Sequence, residues 1–178
     1  MTTALITHAD CLRHETPEGH PEQIARLEHV LHALETLDLN RVPAPMVAED
    51  AILRIHPVDH LRALRSARPI EGYAQIDGDT FLSPGSLDAA FRAAGAAVRA
   101  VDLVLTGEVQ NAFAAIRPPG HHAETETAMG FCLFGNAALA AKHALDHHGL
   151  KRVAVVDFDV HHGNGTQDLL WGEPRALF

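Results

Sequence analysis

The residues with the plainest chemistry in this 178-residue chain fall in two clusters, Arg117-Pro118-Pro119-Gly120-His121-His122 and Asp157-Phe158-Asp159-Val160-His161-His162. In the second, Asp157, Asp159 and His161 are spaced by two, so in extended backbone they point to one side. Two carboxylates on one side of a buried strand end repel each other unless a cation or hydrogen bonds compensate. A metal resolves the conflict, with Asp159 and His161 as oxygen and nitrogen ligands suited to zinc. The competing reading makes Asp157 and Asp159 caps of the next helix. A double-histidine loop arriving at the same crevice favours the metal. His121-His122 follows Pro-Pro-Gly, which fixes the loop backbone, and has no helix end to serve. One of its imidazoles could take a proton from a metal-bound water while its neighbour stays charged. His162 points away from His161 and reads as structural. His147-His148, before Gly149, reads as a solvated pair drawn to a helix C-terminus.

The elements that must position these residues follow from local pattern. Ala4–Thr7 reads as a first strand, and Ile24, Leu27, Val30, Leu31, Leu34 and Leu37 mark an amphipathic helix over Pro21–Leu37. His29 and His32 belong to this helix and read as surface or flank residues. A short strand is expected at Met46–Val47 and a helix over His56–Ala67. The stretch from Pro69 to Ser86 has no period and reads as a functional loop. Ser86 should cap a helix that runs to Gly107. Ala112–Ile116 reads as a strand, Asn136–His148 as a helix, and Val153–Phe158 as the clearest strand. A weak helix at Gly165–Trp171 and a last strand opening at Arg175 complete the pattern. Apolar strands alternating with helices predict a parallel sheet covered on both faces. Ligands bind at the C-terminal ends of such strands, where both clusters lie. With those strands neighbouring, the clusters would share one crevice.

Composition bounds the rest. Hydrophobic residues at 47% and charged residues at 21% are ordinary for a globular chain, expected as one domain over 1–178. A net charge of −9 argues against nucleic acid as a partner and suits cationic substrates such as lysine-rich peptides or polyamines. No apolar run approaches the ~20 residues of a membrane span. The N-terminus lacks the pattern of a secretory signal, and Cys11 and Cys132 suggest free thiols, so a cytoplasmic protein is expected.

RPPGHHA (Arg117–Ala123), MGFCLF (Met129–Phe134) and VDFDVHHGNGTQ (Val156–Gln167) resemble the signature blocks of the zinc-dependent histone deacetylase superfamily. DGDTFLSPGS and GHPEQ agree at lower specificity. The resemblance implies a three-layer α/β/α fold around a parallel sheet of eight strands, and zinc-dependent hydrolysis of N-acetyl amides in proteins or small amines. By position, Asp159 and His161 would bind zinc, and His121 and His122 would be catalytic, with His122 the base. Asp157 would orient His121 and help hold potassium. Gly130 and Phe131 would line an acyl-lysine tunnel with Asp79 at its rim. Asn164, standing where class I relatives place aspartate behind the second histidine, points to the class II and bacterial amidohydrolase branch. Gln23 stands where relatives often carry arginine. Gly163 falls where the ureohydrolases need a second-metal aspartate, which favours one metal. The family's third zinc ligand and oxyanion-stabilising tyrosine lie downstream of Phe178, and Tyr73 does not match the latter. The chain is therefore expected to be the N-terminal half of an enzyme, inactive or nearly so alone. The alternative is a non-catalytic homologue that binds metal weakly or assembles with another chain, including a copy of itself.

Overall fold

The computed structural model describes residues 2–178. Strand β1 (Thr3–Thr7) is the centre of a three-stranded parallel sheet, flanked by β2 (Asn40–Pro43) and β5 (Asn111–Ala114). Its side chains alternate between two buried faces. Ala4 and Ile6 pack with Ala96 and Leu103 of α4 (Ser86–Leu105), while Leu5 packs with Cys11, Leu27 and Ala115 beneath α1 (Ile24–Ala33). Helices thus cover both faces, which is the expected α/β/α layering. A further core gathers Ile52 of α2 (Glu49–Ile52), Leu61 and Leu64 of α3 (Val58–Ala67), Phe91, Phe134 and Leu139. Within this core His56 and His60 stack at 4.4 Å and pin the loop that precedes α5 (Asn136–Asp146). His56 donates Nδ1–H to the Thr125 carbonyl at 3.0 Å and accepts from Gly135 N–H at 3.0 Å.

Several boundaries differ from the sequence pattern. Helix α1 starts after Gln23 and ends at Ala33, three turns at most, because Leu34–Thr36 already turn toward β2. The strand expected at Met46–Val47 is instead Asn40–Pro43, which finds β1 as a partner. Ser86 does not cap α4. It is the first helical residue, and its hydroxyl is spent on Ser83 N–H at 2.7 Å and on His14 Nδ1 at 2.7 Å. The loop before it contains a two-residue antiparallel pair, β3 (Ala74–Gln75) with β4 (Phe81–Leu82).

The largest departure lies at the strand expected to be clearest. Strand β6 covers only Val153–Ala154 and pairs in parallel with β7 (Ala176–Leu177), not with β5. Its ladder ends where Val155 N–H donates to the Leu177 carbonyl at 2.8 Å, because β7 runs no further. Beyond that point Val156, Phe158 and Val160 are 82%, 97% and 92% exposed. Among the described residues the parallel strands number three and two in separate sheets, against the eight the resemblance implied for the whole fold. Between β5 and β6 lies an apolar groove of about 460 Å³, lined by Val104, Ala112, Ala140, Ala144, Leu150 and Val155.

Candidate active site

The loop from Arg117 to Ala123 is held from below by an ion pair. Arg117 is fully buried and donates Nε–H and a terminal N–H to the two oxygens of Glu22, at 2.7 and 2.6 Å. It also donates to the Cys11 carbonyl at 3.2 Å. Burial pushes the Glu22 carboxyl up, but the Arg117 hydrogen bonds and charge outweigh it and hold the group below its usual range. The pair fixes where the loop leaves β5, so the two histidines that follow start from a rigid base.

His121 and His122 then meet unlike partners. His121 donates Nδ1–H to the Asp157 carboxylate at 2.8 Å. His122 donates Nδ1–H to the Asn164 side-chain carbonyl at 2.6 Å. The amide orientation is set by its other end, which donates to Glu124 at 2.8 Å. Asn164 opens α6 (Asn164–Leu170), so that helix supplies the partner directly after the metal-type loop. Negative charge faces the first ring and a neutral dipole the second, while the rings lie 4.0 Å apart. The Asn164 carbonyl calls for a proton on Nδ1 of the second imidazole, and a neutral ring so held has Nε2 free, the form a general base needs.

Two glycines make this packing possible. A Cβ on Gly130 would lie 2.5 Å from His122 Cδ2, and its φ of +54° favours glycine. A Cβ on Gly163 would lie 2.5 Å from Asp157 Oδ2, so any side chain there would push the Asp157 carboxylate aside.

Asp159 and His161 are brought together, but at the surface. Asp159 Oδ1 accepts from His161 N–H at 2.8 Å and faces His161 Nδ1 at 3.0 Å, with side chains 48% and 71% exposed. That N···O separation is near that of two ligand atoms sharing an ion at about 2.0–2.2 Å. The donor chemistry therefore fits zinc. The number of donors is two, where a catalytic zinc takes three from protein. Asp157 is already engaged, through one oxygen with His121 and the other with Asp159 N–H at 3.1 Å. His122 approaches His161 at 6.0 Å between ring centres.

Of the residues expected to meet substrate, Gly130 lies against His122, while Phe131 and Asp79 are linked through Thr80 and His20. Phe131 donates N–H to Thr80 Oγ1 at 2.9 Å, and His20 packs edge-on against both Phe131 and Phe81 while bonding the Asp79 carbonyl at 2.9 Å. Thr80, His20, Glu124 and Glu22 were not among the predicted site residues. His20 and Glu22 lie in GHPEQ and Thr80 in DGDTFLSPGS, so the motif blocks held the signal without saying what each residue touches. Cys132 sits behind His122, buried, with its thiol pushed up to about 12 by burial, and takes no part as a nucleophile.

Residues 20–178 match the family model of the histone deacetylase domain. The chain belongs to the histone deacetylase family. It is 39% identical to histone deacetylase 5 of Arabidopsis thaliana over 98% of this chain and 29% of that protein. It is 38% identical to the polyamine deacetylase HDAC10 of Homo sapiens over 100% of this chain and 29% of that protein. The crystal structure of the HDA15 HD domain superposes with a TM-score of 0.93 at 35% identity, covering 99% of this chain and 51% of that one. The chain thus spans about half or less of these family members.

Proposed function

We propose that this chain carries the base-bearing part of a zinc-dependent deacetylase that releases acetate from acetylated lysine or small acetylated amines. The observation that carries the reading is the unequal pairing of the two histidines, one with Asp157 and the other with Asn164. Asp159 and His161 would hold the zinc, with a third donor from outside this span. Zinc, when bound, polarises the acetyl carbonyl and acidifies water. His122 takes a proton from the attacking water at Nε2. His121, its positive charge offset by Asp157, stabilises the negative charge that develops beside it and is placed to protonate the leaving amine. Gly130 and Phe131 would flank the acyl chain and Asp79 would meet a cationic substrate at the rim. A potassium ion would engage Asp157 and the Asp159 and His161 carbonyls.

The reading is tested by a substrate panel. A polypeptide carrying this span should release acetate from acetyl-lysine peptides or acetylpolyamines, and no urea from guanidino compounds; the 178-residue chain alone should turn over neither. Urea release would overturn the deacetylase reading, and zinc-dependent turnover by the chain alone would overturn the shared site. A second reading, assembly with another chain, is favoured by exposed Val156, Phe158 and Val160. It fails if light scattering shows a clean monomer.

Gly130→Ala should separate activity from stability. The left-handed backbone costs alanine about 1–2 kcal/mol. The His122 ring must also move off its Asn164 contact, and misplacement by about 1 Å can cost on the order of 10²-fold in rate. Acetate-release kinetics should therefore fall far more than the melting temperature.

A further inference from the structure

We propose that Asp102, His143, His147 and His148 form a structural site for a borderline divalent transition ion, Zn2+ being the best match, at the opposite end of the strands from the candidate active site. One ligand atom from each of the four lies within 4.8 Å of the others, and among the described residues this is the group of three or more donors so arranged. His143 and His147 are four apart at the end of α5, so both rings project from one face. They stack at 4.7 Å, with the His148 ring 5.3 Å from His143 and 5.0 Å from His147. Asp102 reaches in from the last turn of α4, with Oδ1 2.6 Å from His143 Nε2 and 2.8 Å from His148 Nε2.

Attraction to the α5 dipole accounts for the terminal histidine pair alone. It does not account for a carboxylate brought from α4 to accept from two imidazoles, nor for His143, whose side chain is only 10% exposed. Two helices present their negative ends here, which adds to the field favouring a cation. Three imidazoles and one carboxylate suit zinc, nickel or cobalt rather than calcium or magnesium. Four protein donors complete a tetrahedron and leave no open position, which marks a structural rather than a catalytic site. An ion would replace the hydrogen bonds that His143 and His148 now give Asp102, each Nε2 giving up its proton to Nδ1 or to solvent so that its lone pair can face the ion.

The chain runs from α4 into β5 and from α5 into β6, so an ion here would tie together the starts of the two strands whose far ends lead to His121 and Asp157. It would also clamp the two helices that wall the apolar groove.

The test is a calorimetric Zn2+ titration of protein carrying Asp159→Asn and His161→Ala, which removes the donors at the candidate active site. One equivalent should bind and raise the melting temperature. Adding His147→Ala, at an exposed position, should leave the zinc-free melting temperature unchanged and weaken binding by at least about tenfold, a loss that even an outer-shell partner can cause. Asp102→Asn should weaken it likewise. No binding in the Asp159→Asn/His161→Ala protein, or binding that neither added substitution weakens, overturns the site.

Discussion

His122→Ala, made in a polypeptide that carries this span, lowers kcat for acetyl-amide hydrolysis by about 10²–10⁴-fold while the protein stays folded. The expected loss is large because the proposed mechanism makes Nε2 the proton acceptor, and alanine leaves nothing at that position. The expected stability cost is small because the ring is only half-buried and its polar contact is the single bond to Asn164. Asn164 serves a definite purpose in this account. Its carbonyl accepts the Nδ1 proton, and its amide is anchored on Glu124, so the ring cannot adopt the other tautomer without losing a bond. His121 has a carboxylate partner instead, and the proposed role for it is electrostatic rather than that of the base. Steady-state kinetics of the two single variants check the assignment. A greater loss in His121→Ala than in His122→Ala would move the base to His121.

Glu22→Gln should cost about 3–5 kcal/mol of folding stability, because it leaves the fully buried Arg117 guanidinium without a counter-charge. Against a total of about 5–15 kcal/mol, that removes much of the stability of the protein. The charge is not replaced from nearby. His14, 3.5 Å from Glu22, is driven by burial to about 4 and is neutral at pH 7, and Arg26 is another cation. Urea unfolding measures the loss, and an Arg117→Met partner variant should recover part of it, since the two residues are coupled. A change below about 1 kcal/mol would place the pair in an ordinary solvent-screened environment.

The same core sets the acid limit. His14 and His56 both have folded values lowered to about 4, by burial first, from an ordinary 6.5. Between those values the unfolded chain takes up protons that the folded one refuses, so stability falls as pH drops from about 6.5 toward 4. Glu22 adds to the fall below the ordinary glutamate range, because its lowered folded value means the stabilisation is present above that range and lost beneath it.

What the sequence disclosed was mainly local. The two-residue alternation of Asp157, Asp159 and His161 and the tandem His121-His122 marked the candidate site residues, and helical spacing located α3, α4 and α5 to within a few residues. Pairings across the chain were not legible. Arg117 and Glu22 are separated by 95 positions, and His122 and Asn164 by 42, and no periodicity links either pair. The strand at Val153–Phe158 was over-read for a related reason. Its apolar run shows a capacity to be a strand, but a ladder needs a neighbour, and β7 offers one only as far as Val155. The Asp102 contact of His148 was not legible either, because Asp102 lies more than 40 positions away on another helix.

The central claim is that this site works by zinc held beside the His121–His122 pair. Its most direct test is acetate release from an acetyl-lysine peptide by a polypeptide carrying this span, measured as purified, after chelation, and after Zn2+ is restored. The account predicts loss on chelation and recovery on adding zinc, with no recovery in Asp159→Asn or His161→Ala. A rate indifferent to chelation, or restored equally in those two variants, would contradict it.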